Sequence, residues 1–325
     1  MSTALDDKRS YKMKQLISFA IPCYNSSKTI GEVIKEIHET LDGNSEYDFE
    51  VVTTVDGSPD NVFEVLKELA RDDKKIKVIN LAKNYGQASA KMSALNHCDG
   101  DIVILLDDDG QCPVDKTLEL IEPLNRGFDV SIADYPVKKQ SWFKNFGSKI
   151  NTYTSRILLD VPKDFRSTNF YAMKKFVVAQ IVQYKNPYPY MDGLISQITK
   201  SIAYVPMEER DRLSGSTGYT FKKLMALYLN GFTAFSILPL RISSLVGVVC
   251  AIIGFIFGIY TVIRKLIVVD ISVGWSSTVS IMLFIGGLIM LMLGMIGEYI
   301  GRIYICINNA PQYVEKETVN IDGPK

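Results

Sequence analysis

The sequence predicts an α/β domain on a mainly parallel sheet, followed by a membrane-embedded tail. Three observations carry this prediction. Apolar, strand-like runs alternate with helix-like segments through the first half of the chain, the rhythm of βαβ units covered on both faces. Polar residues recur at the carboxyl ends of those runs, where open α/β sheets bind their ligands. Near the C-terminus, two apolar stretches of about 22 and about 20 residues fit bilayer-spanning helices.

In chain order, Leu16–Ile21 reads as a strand, Thr29–Leu41 as an amphipathic helix and Phe49–Val55 as a strand. Asn61–Ala70 reads as a helix, Ile76–Leu81 as a strand and Gln87–Asn96 as a helix. Asp101–Leu106 is a strand, Lys116–Leu124 a helix and Asp129–Ala133 a strand. The second half is less regular. Ser141–Leu159 reads as a helix bearing Lys144, Lys149 and Arg156, Asp192–Lys200 as a helix, and Ile202–Val205 as a strand. A basic, glycine-bearing loop runs from Arg210 to Tyr219. Phe221–Ile237 mixes Lys222 and Lys223 with leucines and aromatics, a composition that suits either a helix lying in a membrane interface or an ordinary amphipathic core helix; its proximity to the first span favours the interface.

The spans are Ile242–Ile263 and Thr278–Gly297, and between Arg241 and Glu298 the only charges are Arg264, Lys265 and Asp270. The expected organisation is a flexible N-terminus (1–14), a sheet domain (15–218), an interfacial helix (219–240), the two spans with their flanks (241–302) and a C-terminal tail (303–325), polar and frayed over Asn308–Lys325. Met1–Lys14 has no signal-peptide apolar core, so no cleaved export signal is expected. Two spans place both ends of the chain on one side. Lys222, Lys223, Arg241 and Arg302 flank the outer ends and favour that side as the inside, against Arg264 and Lys265 in the connecting loop.

Lys+Arg and Asp+Glu both number 36, and this balance gives no support to nucleic-acid binding. The five cysteines, Cys23, Cys98, Cys112, Cys250 and Cys306, are scattered, odd in number and without metal-ligand spacing. That is the usage of reduced thiols facing a cytosol. The two histidines, His38 and His97, fall in predicted surface helices and read as solvated, which disfavours a histidine base.

The most informative local feature is Asp107-Asp108-Asp109-Gly110-Gln111, directly after the buried run Ile102–Leu106. Carboxylates concentrated at a strand tip are tolerable in solvent or around a hard cation. Alternate residues of an extended segment point the same way, so Asp107 and Asp109 would face one Mg²⁺ or Mn²⁺ with Gln111 as a further oxygen donor. Asp108 would point elsewhere. Asp56-Gly57-Ser58-Pro59-Asp60 is either a turn and helix cap or, through Asp56, an acceptor for a nucleobase or ribose. Arg212, Gly215, Thr217 and Tyr219 supply a cation, a flexible backbone and two hydroxyls, which suit a phosphate.

Ile21–Asn25, Val55–Asp60, Lys83–Gln87 and Asp107-x-Asp109-x-Gln111-x-Pro113 occur in an order that resembles the family 2 glycosyltransferases of GT-A fold. Ser141–Lys144, Asp164–Arg166, the Arg212–Tyr219 loop, Phe235-Ser236-x-x-Pro239-Leu240-Arg241 and Gly297–Arg302 narrow the resemblance. They look like the polyprenyl-phosphate glycosyltransferases, a group containing dolichyl-phosphate mannose synthases and bacterial undecaprenyl-phosphate sugar transferases. The resemblance runs from about residue 16 to about residue 305.

It implies a Rossmann-like nucleotide-sugar-binding domain of GT-A fold with a mixed, mainly parallel sheet. Pro22, Tyr24, Asn25 and Asp56 would line the nucleotide pocket, with Lys83 and Gly86 nearby. Asp107, Asp109 and Gln111 would hold the divalent ion. Lys144, Ser148 and Arg212 would meet the lipid phosphate, with Thr217 and Tyr219 closing that site, so Asp107, Asp109, Lys144 and Arg212 are the implied catalytic set. The implied activity is inverting transfer from a nucleotide sugar, UDP-linked, to polyprenyl phosphate for cell-envelope glycan modification. The implied location is the inner membrane, with the catalytic domain in the cytoplasm. A flippase, a downstream transferase and a second copy of the chain are the partners left open.

Several positions depart from the family pattern. Val55 stands where an acidic residue commonly precedes Asp56, Ser26 follows Asn25, Lys144 replaces an arginine, Cys112 a carboxylate and Thr217 a serine. Two other readings compete. A processive polysaccharide synthase usually carries a Gln-x-x-Arg-Trp segment, and neither Trp142 nor Trp275 has that context. A non-catalytic membrane-anchored binding protein is opposed by the intact Asp107, Asp109 and Gln111.

Overall fold

In the computed structural model, residues 14–135, 168–187, 189–211, 213, 238–267, 274–308 and 310–321 are described. The expected helices at 141–159 and 221–237 lie outside them. By its contacts the chain divides into two compact units, one built on the sheet and including the C-terminal strand, the other containing the two long helices.

Continuous apolar runs produce the centre of the sheet. β1 (Gln15–Cys23), β2 (Tyr47–Val55), β3 (Ile76–Leu81) and β4 (Ile102–Leu105) are buried on both faces and pair in parallel as β4-β1-β2-β3. Their connections are α1 (Ile30–Leu41), α2 (Val62–Asp72) and α3 (Gln87–Asn96). α1 buries Ile30, Val33, Ile34, Ile37 and Leu41, a 3.6-period stripe, against that surface. Phe19 and Phe49 meet edge to face beneath it, with ring centroids 6.5 Å apart.

The rest of the sheet is mixed. A 3₁₀ turn (Val114–Lys116) and α4 (Thr117–Asn125) lead to β5 (Val130–Asp134). β6 (Tyr171–Lys174) inserts antiparallel between β4 and β5, followed by α5 (Lys175–Ile181), α6 (Met191–Ile198) and β7 (Ile202–Pro206), which runs parallel to β5. The full order is β7-β5-β6-β4-β1-β2-β3-β8.

The last strand corrects the expectation of a frayed tail. β8 (Glu315–Val319) pairs antiparallel with β3, Val78 opposite Val319 and Asn80 opposite Glu317. Beyond it Asn320, at φ 57°, donates its amide to the carbonyls of Ala70 and Ile76 at 2.6 and 2.9 Å. A polar segment becomes a strand here because β3 would otherwise leave a row of unpaired backbone groups.

The histidines are also not simply solvated. His38 lies 2.9 Å from Asp42 and 3.0 Å from Asp73, its ring against Phe49, and His97 lies 2.9 Å from Glu315. At the amino ends of the strands, buried Glu50 accepts from the Ser18 hydroxyl (2.5 Å) and Asp99 N–H (2.7 Å) and pairs with Lys77 at 2.7 Å. Satisfying that carboxylate makes its burial tolerable.

In the second unit, α7 (Leu238–Ile267) and α8 (Trp275–Ile307) are 30 and 33 residues long. At 1.5 Å per residue they measure about 45 and about 50 Å, longer than a hydrocarbon core of about 30 Å. Each contains a window apolar enough to cross a membrane, Ser243–Tyr260 and Phe284–Gly301. Ile253, Phe255, Phe284 and Met290 are exposed, which suits helices surrounded by lipid rather than by protein. A side chain at Gly247 would approach the Met292 methyl at 3.0 Å, so a small residue lets the hairpin close.

Candidate active site

The carboxyl ends of β1 to β4 are tied to one another by side-chain and backbone hydrogen bonds. At the tip of β2, Asp56 donates its N–H to the Cys23 carbonyl at 3.0 Å, joining β1. The Asp56 carboxylate, 2% exposed, accepts the N–H of Tyr85 at 2.6 Å and of Gly86 at 2.9 Å, joining the loop after β3. Burial pushes this carboxyl above its ordinary value, against the lowering effect of the two amides. Gly57, at φ 55°, is required by close approach: a Cβ there would lie 2.3 Å from Asn84 N. Gly86 opens α3 at φ 92°. Lys83 is exposed, its ammonium 5.1 Å from the Tyr85 ring centroid.

After β1, Pro22 is buried, whereas Tyr24 is 52% exposed. Asn25 holds φ 56° and donates its N–H to the Ser58 hydroxyl at 2.7 Å; Ser58 in turn donates to Asp60 at 2.6 Å. Asp60 also accepts the Ser27 N–H at 2.8 Å. The bonds among Asn25, Ser58 and Asp60 fasten the first two strand ends together.

In the acidic turn after β4 each of the three aspartates has its own partners. Asp107 accepts from Gln87 Nε2 at 2.8 Å and Asn169 Nδ2 at 3.0 Å, and lies 3.2 Å from Lys91 Nζ. Burial alone would lower the Lys91 ammonium; Asp107, together with Asp192 and Cys112, outweighs it and the net shift is upward. Asp108 turns towards β1 and accepts the Tyr24 N–H at 2.9 Å, and burial pushes its carboxyl up to about 6. Asp109 accepts the Gln111 N–H at 3.1 Å around Gly110, at φ 76°. Gln111 donates Nε2 towards Glu209 (3.4 Å) and the Arg210 carbonyl (3.3 Å).

Of the expected site residues, Pro22, Tyr24, Asn25, Asp56, Lys83, Gly86, Asp107, Asp109 and Gln111 sit at this strand edge. Lys144, Ser148, Arg212, Thr217 and Tyr219 lie outside the described residues. Lys91 and Asn169 were not anticipated. Lys91 is one helical turn beyond Gln87, so both reach Asp107 from one face of α3. Asn169 precedes β6 and carries no periodic signal.

Oxygen donors without imidazole suit Mg²⁺ or Mn²⁺. Among the described residues no three His, Cys, Asp or Glu side chains converge on one point. The donor set therefore fits an ion that takes one or two carboxylates from protein and its remaining ligands from phosphate and water. Cys112, a thiol beside the turn, is buried and pushed up to about 12 by that burial, with Asp107 adding to it, so it is a protonated packing group.

Comparison with known proteins places this geometry. Residues 18–182 match the model of glycosyl transferase family 2, and residues 238–303 match the GtrB C-terminal hairpin. The chain belongs to glycosyl transferase family 2. It is 30% identical to the SfII prophage-derived bactoprenol glucosyl transferase of Shigella flexneri, over 93% of this chain and 98% of that one. It is 29% identical to the undecaprenyl-phosphate 4-deoxy-4-formamido-L-arabinose transferase of Edwardsiella ictaluri, over 97% of each. Among solved structures, glucosyl-3-phosphoglycerate synthase from Mycobacterium tuberculosis, in complex with Mn²⁺, UDP-glucose and phosphoglyceric acid, has a similar fold. The TM-score is 0.51 at 18% identity, covering 67% of this chain and 78% of that one.

Proposed function

We propose that this chain is an inverting glycosyltransferase that moves a sugar from a UDP-linked donor to polyprenyl phosphate, giving a polyprenyl-phosphate sugar for the cell envelope. The observation that carries the reading is the joined strand edge, with Asp56 and the Asp107–Gln111 turn on it, in a chain that also has two lipid-suited helices. Relatives of the same length named for bactoprenol and undecaprenyl phosphate support the acceptor class.

In this reading the nucleotide lies over the ends of β1 and β2, against Tyr24, Asn25 and Asp56, with Lys83 and Gly86 at its margin. Asp109 and Asp107 would hold the divalent ion with Gln111 beside them. When bound, the ion offsets charge on the departing diphosphate. Lys91 neutralises Asp107, so the protein presents less net negative charge to an anionic donor. A phosphomonoester of pKa about 6 is already anionic near neutral pH and needs no histidine base. Its oxygen forms the new bond to the anomeric carbon, and the bond from that carbon to the donor diphosphate breaks with its electron pair leaving on the diphosphate. Lys144, Arg212 and Ser148, with Thr217 and Tyr219, would hold the lipid phosphate against the repulsion of the donor.

In this reading the catalytic unit faces the cytoplasm and α7 and α8 lie in the inner membrane. The reading is tested by incubating membranes containing the protein with labelled nucleotide sugars and undecaprenyl phosphate. A single labelled sugar in the lipid extract, on the phosphate, supports it. Long insoluble polymer would favour a processive synthase, and binding without turnover across the panel would favour a non-catalytic binding protein.

A further inference from the structure

We infer that Arg210 is a positioning residue for divalent-ion binding, bracing the Asp109–Gln111 turn from outside it. The inference rests on the proposed metal role of that turn.

The acidic turn is held by more than its own chain. Residues 209–211 and Leu213 bond to it at four points: Arg210 N–H to the Gln111 carbonyl (3.1 Å), Leu213 N–H to the Asp109 carbonyl (3.2 Å), and Gln111 Nε2 to the Arg210 carbonyl (3.3 Å) and to Glu209 (3.4 Å). The Leu213 side chain occupies the space above Gly110, where a Cβ would meet its Cδ1 at 2.5 Å. Segment and turn therefore fit as a pair. A displacement of Arg210 and Leu213 pulls on the backbone of both Asp109 and Gln111.

What fixes that segment is the guanidinium of Arg210. One nitrogen donates to Glu36 on α1 at 2.7 Å and the other to Asp115 in the 3₁₀ turn at 2.6 Å. Glu36 also accepts the Asp115 N–H at 3.3 Å. Arg210 thus forks between two elements of the domain, one guanidinium nitrogen to each carboxylate, a spread that the single nitrogen of a lysine does not reproduce. Its own backbone carries the constraint to the acidic turn.

The sign of the effect separates bracing from plain electrostatics. Arg210 is a cation near an acidic turn, so by charge alone its removal should tighten binding of a divalent cation. Loss of a brace should weaken it, by about tenfold on the scale seen when outer supports of metal ligands are removed. Mn²⁺ binding to the full-length protein in detergent, followed by electron paramagnetic resonance of the free ion, reads this without turnover. Arg210→Ala is expected to bind Mn²⁺ about tenfold more weakly than wild type. Arg210→Lys, which keeps the charge and loses the fork, is expected to stay closer to alanine than to wild type. UDP binding without metal and the melting midpoint serve as controls and should move little. Unchanged or tighter Mn²⁺ binding in Arg210→Ala, or full recovery in Arg210→Lys, overturns the brace while leaving the transferase reading intact. Absence of Mn²⁺ binding by the wild type overturns the metal role of the turn, and the brace with it.

Discussion

His97 Nε2 and Glu315 Oε1 lie 2.9 Å apart across 218 positions of sequence, joining the end of α3 to the strand that follows the second long helix. Ser93 donates to the same carboxylate at 3.1 Å, and Asn96 donates to the Tyr313 hydroxyl at 2.9 Å. The opposite end of α3 supplies Gln87 and Lys91 to Asp107. One helix therefore touches the acidic turn at its start and the returning C-terminal segment at its end.

Burial alone would raise the Glu315 carboxyl, but the contacts from His97 and Ser93 outweigh it and hold the group below its ordinary value. A depressed carboxylate stabilises the fold fully above its unfolded pKa of about 4.3, and that contribution is lost as pH falls through the lower folded value. Glu315→Gln should lower the melting midpoint at neutral pH by about 3 °C, the scale of about 1 kcal/mol in a domain this size. The difference from wild type should shrink in acid. A gap that widens below pH 4 would contradict the assignment.

How much of this could be read from the chain depended on where each segment's partners lie. β1 to β4 were legible because burial on both faces demands unbroken apolar runs such as Ile102–Leu105. β6 is four residues, Tyr171–Lys174, without alternation, and its pairing with β4 and β5 supplies what its sequence lacks. β8 reads as polar because it is an edge strand whose Glu315 and Glu317 meet His97 and Lys67 rather than a core. The carboxylates of the site were legible from their crowding at a strand tip. Lys91 was not, since a lysine within a helix announces nothing until its neighbour Asp107 is placed.

Lys91 and Asp107 form a pair with side chains only 13% and 18% exposed. Removing one member leaves the other charge uncompensated, at a cost of about 3 kcal/mol. Lys91→Met should therefore lose both stability and affinity for nucleotide sugar. Thermal unfolding and donor titration check the two effects separately; full donor affinity in this variant would remove Lys91 from the site.

Asp109→Asn keeps the shape of the turn and removes a charge. Divalent-ion-dependent transfer should be abolished while the protein remains folded in the membrane. Wild-type turnover by this variant, or by native protein in excess chelator, would end the metal assignment.

The acceptor residues make a different prediction. If Lys144 and Arg212 hold the lipid phosphate, alanine at either should weaken use of polyprenyl phosphate while sparing nucleotide-sugar binding. A lost charge-assisted contact costs about 2 kcal/mol, some thirtyfold in apparent affinity at that order of magnitude. Comparable loss of donor affinity would move both residues to the donor site.

The pairing of β8 with β3 bears on how the chain crosses the bilayer. Glu315–Val319 lies in the same sheet as the strands before residue 207, so an even number of crossings must separate them. Among the described residues two helices, Leu238–Ile267 and Trp275–Ile307, are long and apolar enough to cross, which satisfies that parity. Reduced thiols and a nucleotide-sugar donor both favour the cytosol for the sheet, so the short connection around residue 270 should face outward. All five cysteines are unpaired, so a background lacking them is attainable without breaking a disulfide. A single cysteine at Val273 in intact cells should react with an impermeant thiol reagent, whereas one at Lys316, exposed on β8, should react only after the membrane is opened. The sugar would then be attached at the inner leaflet, and moving it across would fall to a separate protein. Labelling of Lys316→Cys and protection of Val273→Cys in intact cells would reverse the orientation and take the cytosolic donor with it.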